Sequence, residues 1–311
     1  MNSDKHDHDR RAFIRTMGVI GLAAGLSPSS SQGSDQQIIK RAIPSSGEML
    51  PVIGLGTSRT FDIGNIANEL NNLTKVLQAF FDHGGSVIDT SPMYGASERV
   101  IGKLLPTVKQ RQELFIATKV WTEGQQSGIE QMQKSQRLLG EPIIDLMQIH
   151  NLLDWKIHLE TLKEWKKEGR IRYIGITTHR GHDHDELTEI MRKEPLDFVQ
   201  FSYSLVNREA ENFLLPLAAE RGIATLINRP YQRGDMFRRV RGKPLPDWVK
   251  EFDCSSWGQF FLKFLLSKPA VTCVIPATSK VHHMVDNMEA GYGRLPDAAM
   301  RQRMIDHFAS L

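Results

Sequence analysis

Four polar side chains are spaced to act together on one oxygen atom. Asp89, Lys119 and His150 each close a short apolar run, and Tyr94 follows Asp89 in the loop Pro92-Met93-Tyr94-Gly95. A phenol is a reluctant acid, with an ordinary pKa of about 10. A nearby ammonium stabilises the phenolate and eases proton donation. Lys119 is suited to be that ammonium, and Asp89 to pair with it and hold its position and charge. His150 can donate a hydrogen bond to a substrate oxygen and orient it. A carbonyl accepts hydride more readily when its oxygen is protonated or hydrogen-bonded as charge develops. General acid help of this kind is worth about 100- to 10,000-fold in rate. No side chain supplies a hydride, so that half of the chemistry needs a bound hydride-donating cofactor.

Such a site needs strands that end at one mouth. Short apolar runs flanked by turn residues fall at 52–56, 87–89, 114–119, 143–150, 172–176, 198–201, 223–227 and 271–276. Runs of this kind read as parallel strands buried on both faces. Apolar positions three and four apart, at 73–81, 159–165 and 213–218, mark helices between them. Repeated strand–helix units in one domain point to a (β/α)8 TIM barrel. An open doubly wound sheet would want G-x-G-x-x-G after its first strand, and Gly54 and Gly56 supply only the first half. In a barrel the chemistry sits at the C-terminal strand ends. Asp89, Lys119 and His150 occupy that place on successive strands.

Composition agrees with one large domain: 311 residues, 40% hydrophobic and 24% charged. A net charge of +3, with no basic stripe interleaved with aromatics, gives no argument for nucleic acid. Cys254 and Cys273 are too few for a disulfide framework and are not spaced as a metal pair. The N-terminus reads differently. Arg10-Arg11-Ala12-Phe13 precedes a modest apolar run at 17–26 and then Ser27-Pro28-Ser29-Ser30-Ser31. A charged start, a short apolar core and a polar exit form an export signal, and the paired arginines resemble the twin-arginine class. The competing reading is a disordered basic tail. The apolar run falls well short of the roughly 20 residues that span a bilayer, so no stable membrane span is expected. Residues 1–35 are thus expected to be a signal peptide and linker and 38–311 the barrel. The twin-arginine export machinery would be a partner and the periplasm the destination.

Asp89-Thr90-Ser91-Pro92-Met93-Tyr94-Gly95, then Lys119, then His150-Asn151, resembles the tetrad of the aldo-keto reductase superfamily. The likeness covers nearly all of 38–290, from 41–57 to Ile275-Pro276-Ala277-Thr278-Ser279-Lys280 and Asp286-Asn287. It implies a β-hairpin around 43–48 closing the barrel floor, and NADPH-dependent reduction of an aldehyde or ketone, with no metal. By resemblance, Gly56, Thr57 and Asp89 join the cofactor site and Gln200 bonds the nicotinamide carboxamide. Thr177 and Thr178 stand where the family usually has Ser-Asn. Asn228 stands where an aromatic usually stacks on the nicotinamide, with Arg229 and Pro230 following. Arg229 is read as reaching a phosphate or substrate carboxylate, or as a simple salt bridge. Ser279 and Lys280, at a helix start, suit a 2′-phosphate and favour NADPH over NADH. His283 replaces a frequent arginine, and Asn287 is placed for the adenine. Trp121, His150 and Asn151 are expected to wall the substrate pocket, and Trp248 and Trp257 to line it or fill core. A small carbonyl substrate and a monomer or homodimer complete this reading. Two alternatives stay open: an NADP(H)-binding regulatory or partner barrel with little turnover, and a barrel isomerase or lyase. His182-Asp183-His184-Asp185-Glu186 reads as a solvated acidic helix start rather than a metal cluster. The arginine-rich stretch 233–241 reads as an exposed loop over the mouth.

Overall fold

A computed structural model of the chain describes residues 37–311, except 112, 180 and the side chain of 182. The expected leader lies outside the described residues. A hairpin comes first: β1 (Lys40–Ala42) pairs antiparallel with β2 (Met49–Pro51). The expected hairpin segment 43–48 is its turn, and the ladder flanks it.

Eight parallel strands follow: β3 (Leu55–Gly56), β4 (Val87–Asp89), β5 (Phe115–Val120), β6 (Ile144–His150), β7 (Ile171–Thr177), β8 (Phe198–Ser202), β9 (Ala224–Asn228) and β10 (Cys273–Val274). They hydrogen-bond in chain order, β3 to β10. Gly54 N to Val274 O (2.9 Å), Val274 N to Val52 O (2.9 Å) and Gly56 N to Pro276 O (3.0 Å) join the last strand to the first. All eight apolar runs are therefore strands, although the first and last are short. The close approach at this seam requires glycine, because a Cβ on Gly56 would sit 2.7 Å from Ile275 O.

Inward-facing side chains form one cluster that includes Val87, Phe115, Leu146, Tyr173, Phe198 and Leu226, with Ile43 and Leu50 of the hairpin packed into it. The outward-facing side chains pack on helices α1 (Ala67–Asp82), α2 (Ser97–Leu104), α3 (Gln125–Leu139), α4 (Trp155–Lys167), α5 (His184–Lys193), α6 (Leu214–Arg221), α7 (Asp235–Arg239), α8 (Trp257–Leu266), α9 (Val281–Glu289) and α10 (Ala298–Ser310). The helix α1 shows why: Leu70, Leu73, Val76, Leu77, Phe80 and Phe81 recur on one face and are all buried. The final helix, α10, is tied down by Arg301, which reaches Phe264 O, Ser267 Oγ (2.8 Å), Tyr203 OH (3.1 Å) and Glu211 Oε1 (2.7 Å).

Two expectations need correction. The arginine-rich stretch is not a free loop: it contains α7, Arg238 pairs with Asp235 at 2.6 Å, and Arg239 and Lys243 hold Ala309 O and Leu311 O at the end of α10. His184 is buried, with Nδ1 3.7 Å from Glu209, so the acidic start of α5 is only partly solvated. Trp248 and Trp257 take the core reading offered for them, half-buried against the hydrophobic core beside Phe260 and His307. Both cysteines are buried thiols. Among the described residues no group of side chains could hold a metal ion.

Candidate active site

The C-terminal strand ends surround a cavity of about 490 Å³. Asp89 reaches it from the end of β4 and His150 from the end of β6, while Tyr94 enters from the loop after β4. Lys119, on β5, lies completely buried beneath them. Its ammonium donates to Asp89 Oδ1 (2.9 Å), Asp89 Oδ2 (2.8 Å) and Thr90 O (2.7 Å), and lies 5.1 Å from the centre of the Tyr94 ring. The Tyr94 and His150 rings meet edge-on at 5.8 Å. The four residues singled out by spacing are thus brought together.

Their electrostatics follow from this packing. Burial acts to lower the Lys119 pKa, but Asp89 and Tyr94 outweigh it, so the ammonium is held above its ordinary range. Burial pushes the Tyr94 phenol up, while Lys119 pulls it down, Asp89 pushes it up and Arg229 adds a smaller pull downward. The ammonium alone suggests a lowered phenol pKa; the balance is a raised one, because desolvation is the larger effect. His150 is pushed down to about 2 by burial, with Lys119 and His179 adding to it, so the imidazole is neutral. Its Nδ1 lies 3.0 Å from Ser91 Oγ, which also accepts from Met93 N at 3.2 Å. A serine hydroxyl has one proton to give, and giving it to Nδ1 would leave the imidazole proton on Nε2. Ser91 lay in the quoted motif, but its role needed the third dimension.

The expected cofactor residues divide. Gly56, Thr57, Thr177, Gln200, Asn228, Arg229, Pro230 and His283 line the same cavity. Thr178 is fully buried and gives its hydroxyl to Asp183 Oδ2 at 2.6 Å, so that hydroxyl is turned away from the mouth. Ser279 and Lys280 are exposed just before α9. Asn287 is buried and accepts from Tyr231 OH at 2.6 Å. Trp121 stands at the rim, 39% exposed, its ring 6.3 Å from that of His150. Asn151 Oδ1 contacts His179 Nδ1 at 2.9 Å, and His179 lines the cavity.

Sequence reading missed His179 and Arg59, which face the cavity together with Arg233, the one member of the arginine-rich stretch 233–241 that lines it. Arg59, Arg229 and Arg233 have left-handed backbones, with φ of 66°, 51° and 57°. Such a conformation costs a non-glycine residue about 1–3 kcal/mol and concentrates at functional sites. Among the side chains lining the cavity the only carboxylate is Asp89, and it is spent on Lys119. The lining thus holds three guanidinium groups against one carboxylate, an excess of positive charge that suits a polyanion.

Comparison with known proteins agrees with this arrangement. Residues 52–304 match the aldo/keto reductase family. The aldo-keto reductase YhdN of Bacillus subtilis is 29% identical over 219 residues, covering 65% of this chain and 63% of that protein's length. Glyoxal reductase of Bacillus subtilis is 27% identical over 248 residues, covering 78% of this chain and 84% of the other. An aldo-keto reductase from Klebsiella pneumoniae, solved in complex with NADPH, shares the fold with a TM-score of 0.71 at 21% identity, covering 87% of this chain and 96% of that one. With the family matched across the barrel and the Asp89–Lys119–Tyr94–His150 group assembled at its mouth, this chain belongs to the aldo/keto reductase family of oxidoreductases.

Proposed function

We propose that the chain reduces a small aldehyde or ketone to an alcohol with NADPH, and that Tyr94 delivers the proton. The observation that carries this reading is the buried Lys119 ammonium, which donates to both carboxylate oxygens of Asp89 and lies 5.1 Å from the centre of the Tyr94 ring. The cation-rich lining fits a dinucleotide, with Arg59, Arg233 and His283 facing the cavity where its phosphates would lie. Ser279 and Lys280, exposed ahead of α9, favour a 2′-phosphate and hence NADPH. The bound nicotinamide would supply the hydride.

The chain's own residues do the rest. A neutral His150 keeps a proton on Nε2 and donates it as a hydrogen bond to the carbonyl oxygen, which orients the substrate. Tyr94 OH gives up its proton as charge develops on that oxygen, and Lys119 stabilises the phenolate left behind. Trp121 and Met93, both partly exposed at the rim, offer apolar surface to the remainder of the substrate. Tyr94→Phe should abolish NADPH consumption with a panel of simple aldehydes while NADPH still quenches protein fluorescence. Full turnover in that variant would sink the mechanism.

Two further parts of the reading belong here. The hairpin β1–β2 is proposed to cap the barrel floor, supported by Ile43 and Leu50 packing into the inward-facing cluster. Export by the twin-arginine route, to the periplasm, is proposed from Arg10-Arg11 and the apolar run behind them. Changing both arginines to lysine should leave the protein in the cytoplasmic fraction; unchanged fractionation would end that idea.

A further inference from the structure

Asp89 is held by more than Lys119. Its Oδ1 accepts from Lys119 Nζ at 2.9 Å, from Gln148 Nε2 at 3.1 Å and from Gln200 Nε2 at 2.8 Å. Gln148 lies on β6 and Gln200 on β8, and both side chains are buried. Gln200 Nε2 also donates to Gln148 Oε1 at 3.2 Å, so the two amides brace one another. Gln200 Oε1 accepts from Asn228 Nδ2 at 3.3 Å, and Asn228 Oδ1 accepts from Ser202 Oγ at 2.6 Å. A chain of side-chain amides therefore runs inside the barrel from β9, through β8 and β6, to the carboxylate on β4.

Four charged or titratable groups face Tyr94: Asp89 from β4, Lys119 from β5, His150 from β6 and Arg229 from the loop after β9. The carboxylate opposes loss of the phenol proton, and the ammonium promotes it. An amide donor to the carboxylate takes up part of its charge, and this matters most where water is absent. We propose that Gln148 and Gln200 are positioning residues for Tyr94: by donating to Asp89 Oδ1 they fix the carboxylate on Lys119 and weaken its opposition to release of the Tyr94 proton.

The assignment explains three features together. Both glutamines are buried and meet within the barrel, although the register sets Gln148 opposite Gly175 and Gln200 opposite Thr177, two residues further along β7. Gly175 lies between them on β7, and a Cβ there would come within 2.9 Å of Gln148 Cγ, so the strand leaves room for the longer side chain. Asn228 completes the chain of donors where an aromatic residue would end it.

The proposal rests on Tyr94 as proton donor, and the test separates the two claims. Gln148→Met keeps the length of the side chain and removes its hydrogen bonds. Ionisation of Tyr94 is read from phenolate absorbance in the purified full chain, with the titration of the Tyr94→Phe protein subtracted. Reduction of a simple aldehyde is followed across the same pH range. The expected result is an upward move of the Tyr94 titration by about one pH unit. The alkaline limb of kcat should move with it, kcat at neutral pH should fall several-fold, and KM for NADPH should stay unchanged. Gln148→Asn, whose shorter amide cannot reach Asp89, should give the same direction and serves if the methionine variant does not fold. A folded variant with an unmoved Tyr94 titration overturns the proposal, even if Tyr94→Phe is inactive. A shifted titration upholds it, even if Tyr94→Phe keeps turnover and the proton-donor reading falls.

Discussion

At the scale of single residues, the partner of the inner nitrogen of His150 is a serine, and its hydroxyl is placed to favour the tautomer that keeps the proton on Nε2. Ser91 Oγ sits 3.0 Å from Nδ1 and already accepts Met93 N–H. Without the hydroxyl nothing selects the Nε2 tautomer, and the hydrogen bond to the substrate oxygen is lost from part of the population. Ser91→Ala should lower kcat for aldehyde reduction by about tenfold, a fraction of the full worth of general acid help. Dissociation of NADPH, read by fluorescence, should not change; a variant with unaltered kcat would show that the serine is idle. The four reacting side chains were legible in the sequence, because three of them end apolar runs, Tyr94 follows the first, and strand ends share a mouth in a barrel. Ser91, His179 and Gln148 were not, since nothing in their spacing tells what they touch. The direction of the Tyr94 pKa was also hidden, because it depends on burial, which outweighs the visible ammonium.

At the scale of elements, one arginine fastens α10. Arg301 is buried and bonds Phe264 O and Ser267 Oγ at the end of α8, together with Glu211 and Tyr203 beyond β8. Removing one partner of a desolvated ion pair leaves the other charge without its counterpart. Arg301→Met should therefore lower unfolding stability by about 3 kcal/mol in a urea titration. Burial acts to raise the Glu211 carboxyl, but Tyr203, Arg301 and Lys268 together hold it below its ordinary range. A depressed folded value contributes stability that is present above the unfolded pKa, about 4.3 for a glutamate, and is lost as pH falls through the folded one. The wild-type protein should therefore lose more stability on acidification than Arg301→Met does. Equal acid sensitivity would mean that Arg301 does not hold the Glu211 charge.

At the scale of the whole molecule, the barrel was readable because parallel strands covered on both faces must be apolar throughout. The runs at 143–150 and 172–176 became the long central strands β6 and β7 with little change of boundary. The runs at 52–56 and 271–276 became two-residue strands, since their remaining backbone groups bond across the seam without forming a regular ladder. The cationic rim was the least readable part. Arg59 follows β3 while Arg229 and Arg233 follow β9, and their left-handed backbones leave no mark in residue type.

The hairpin has a practical consequence. Ile39 N bonds Gly291 O, and the Lys40 ammonium pairs with Glu113 just ahead of β5, so the chain joins the barrel where the strands begin. The cavity opens where they end. A purification tag, a solid support or an electrode linker joined ahead of Ile38 would thus sit at the pole opposite the opening. Immobilised in that orientation, the protein would present its reactive face outward to diffusing small molecules.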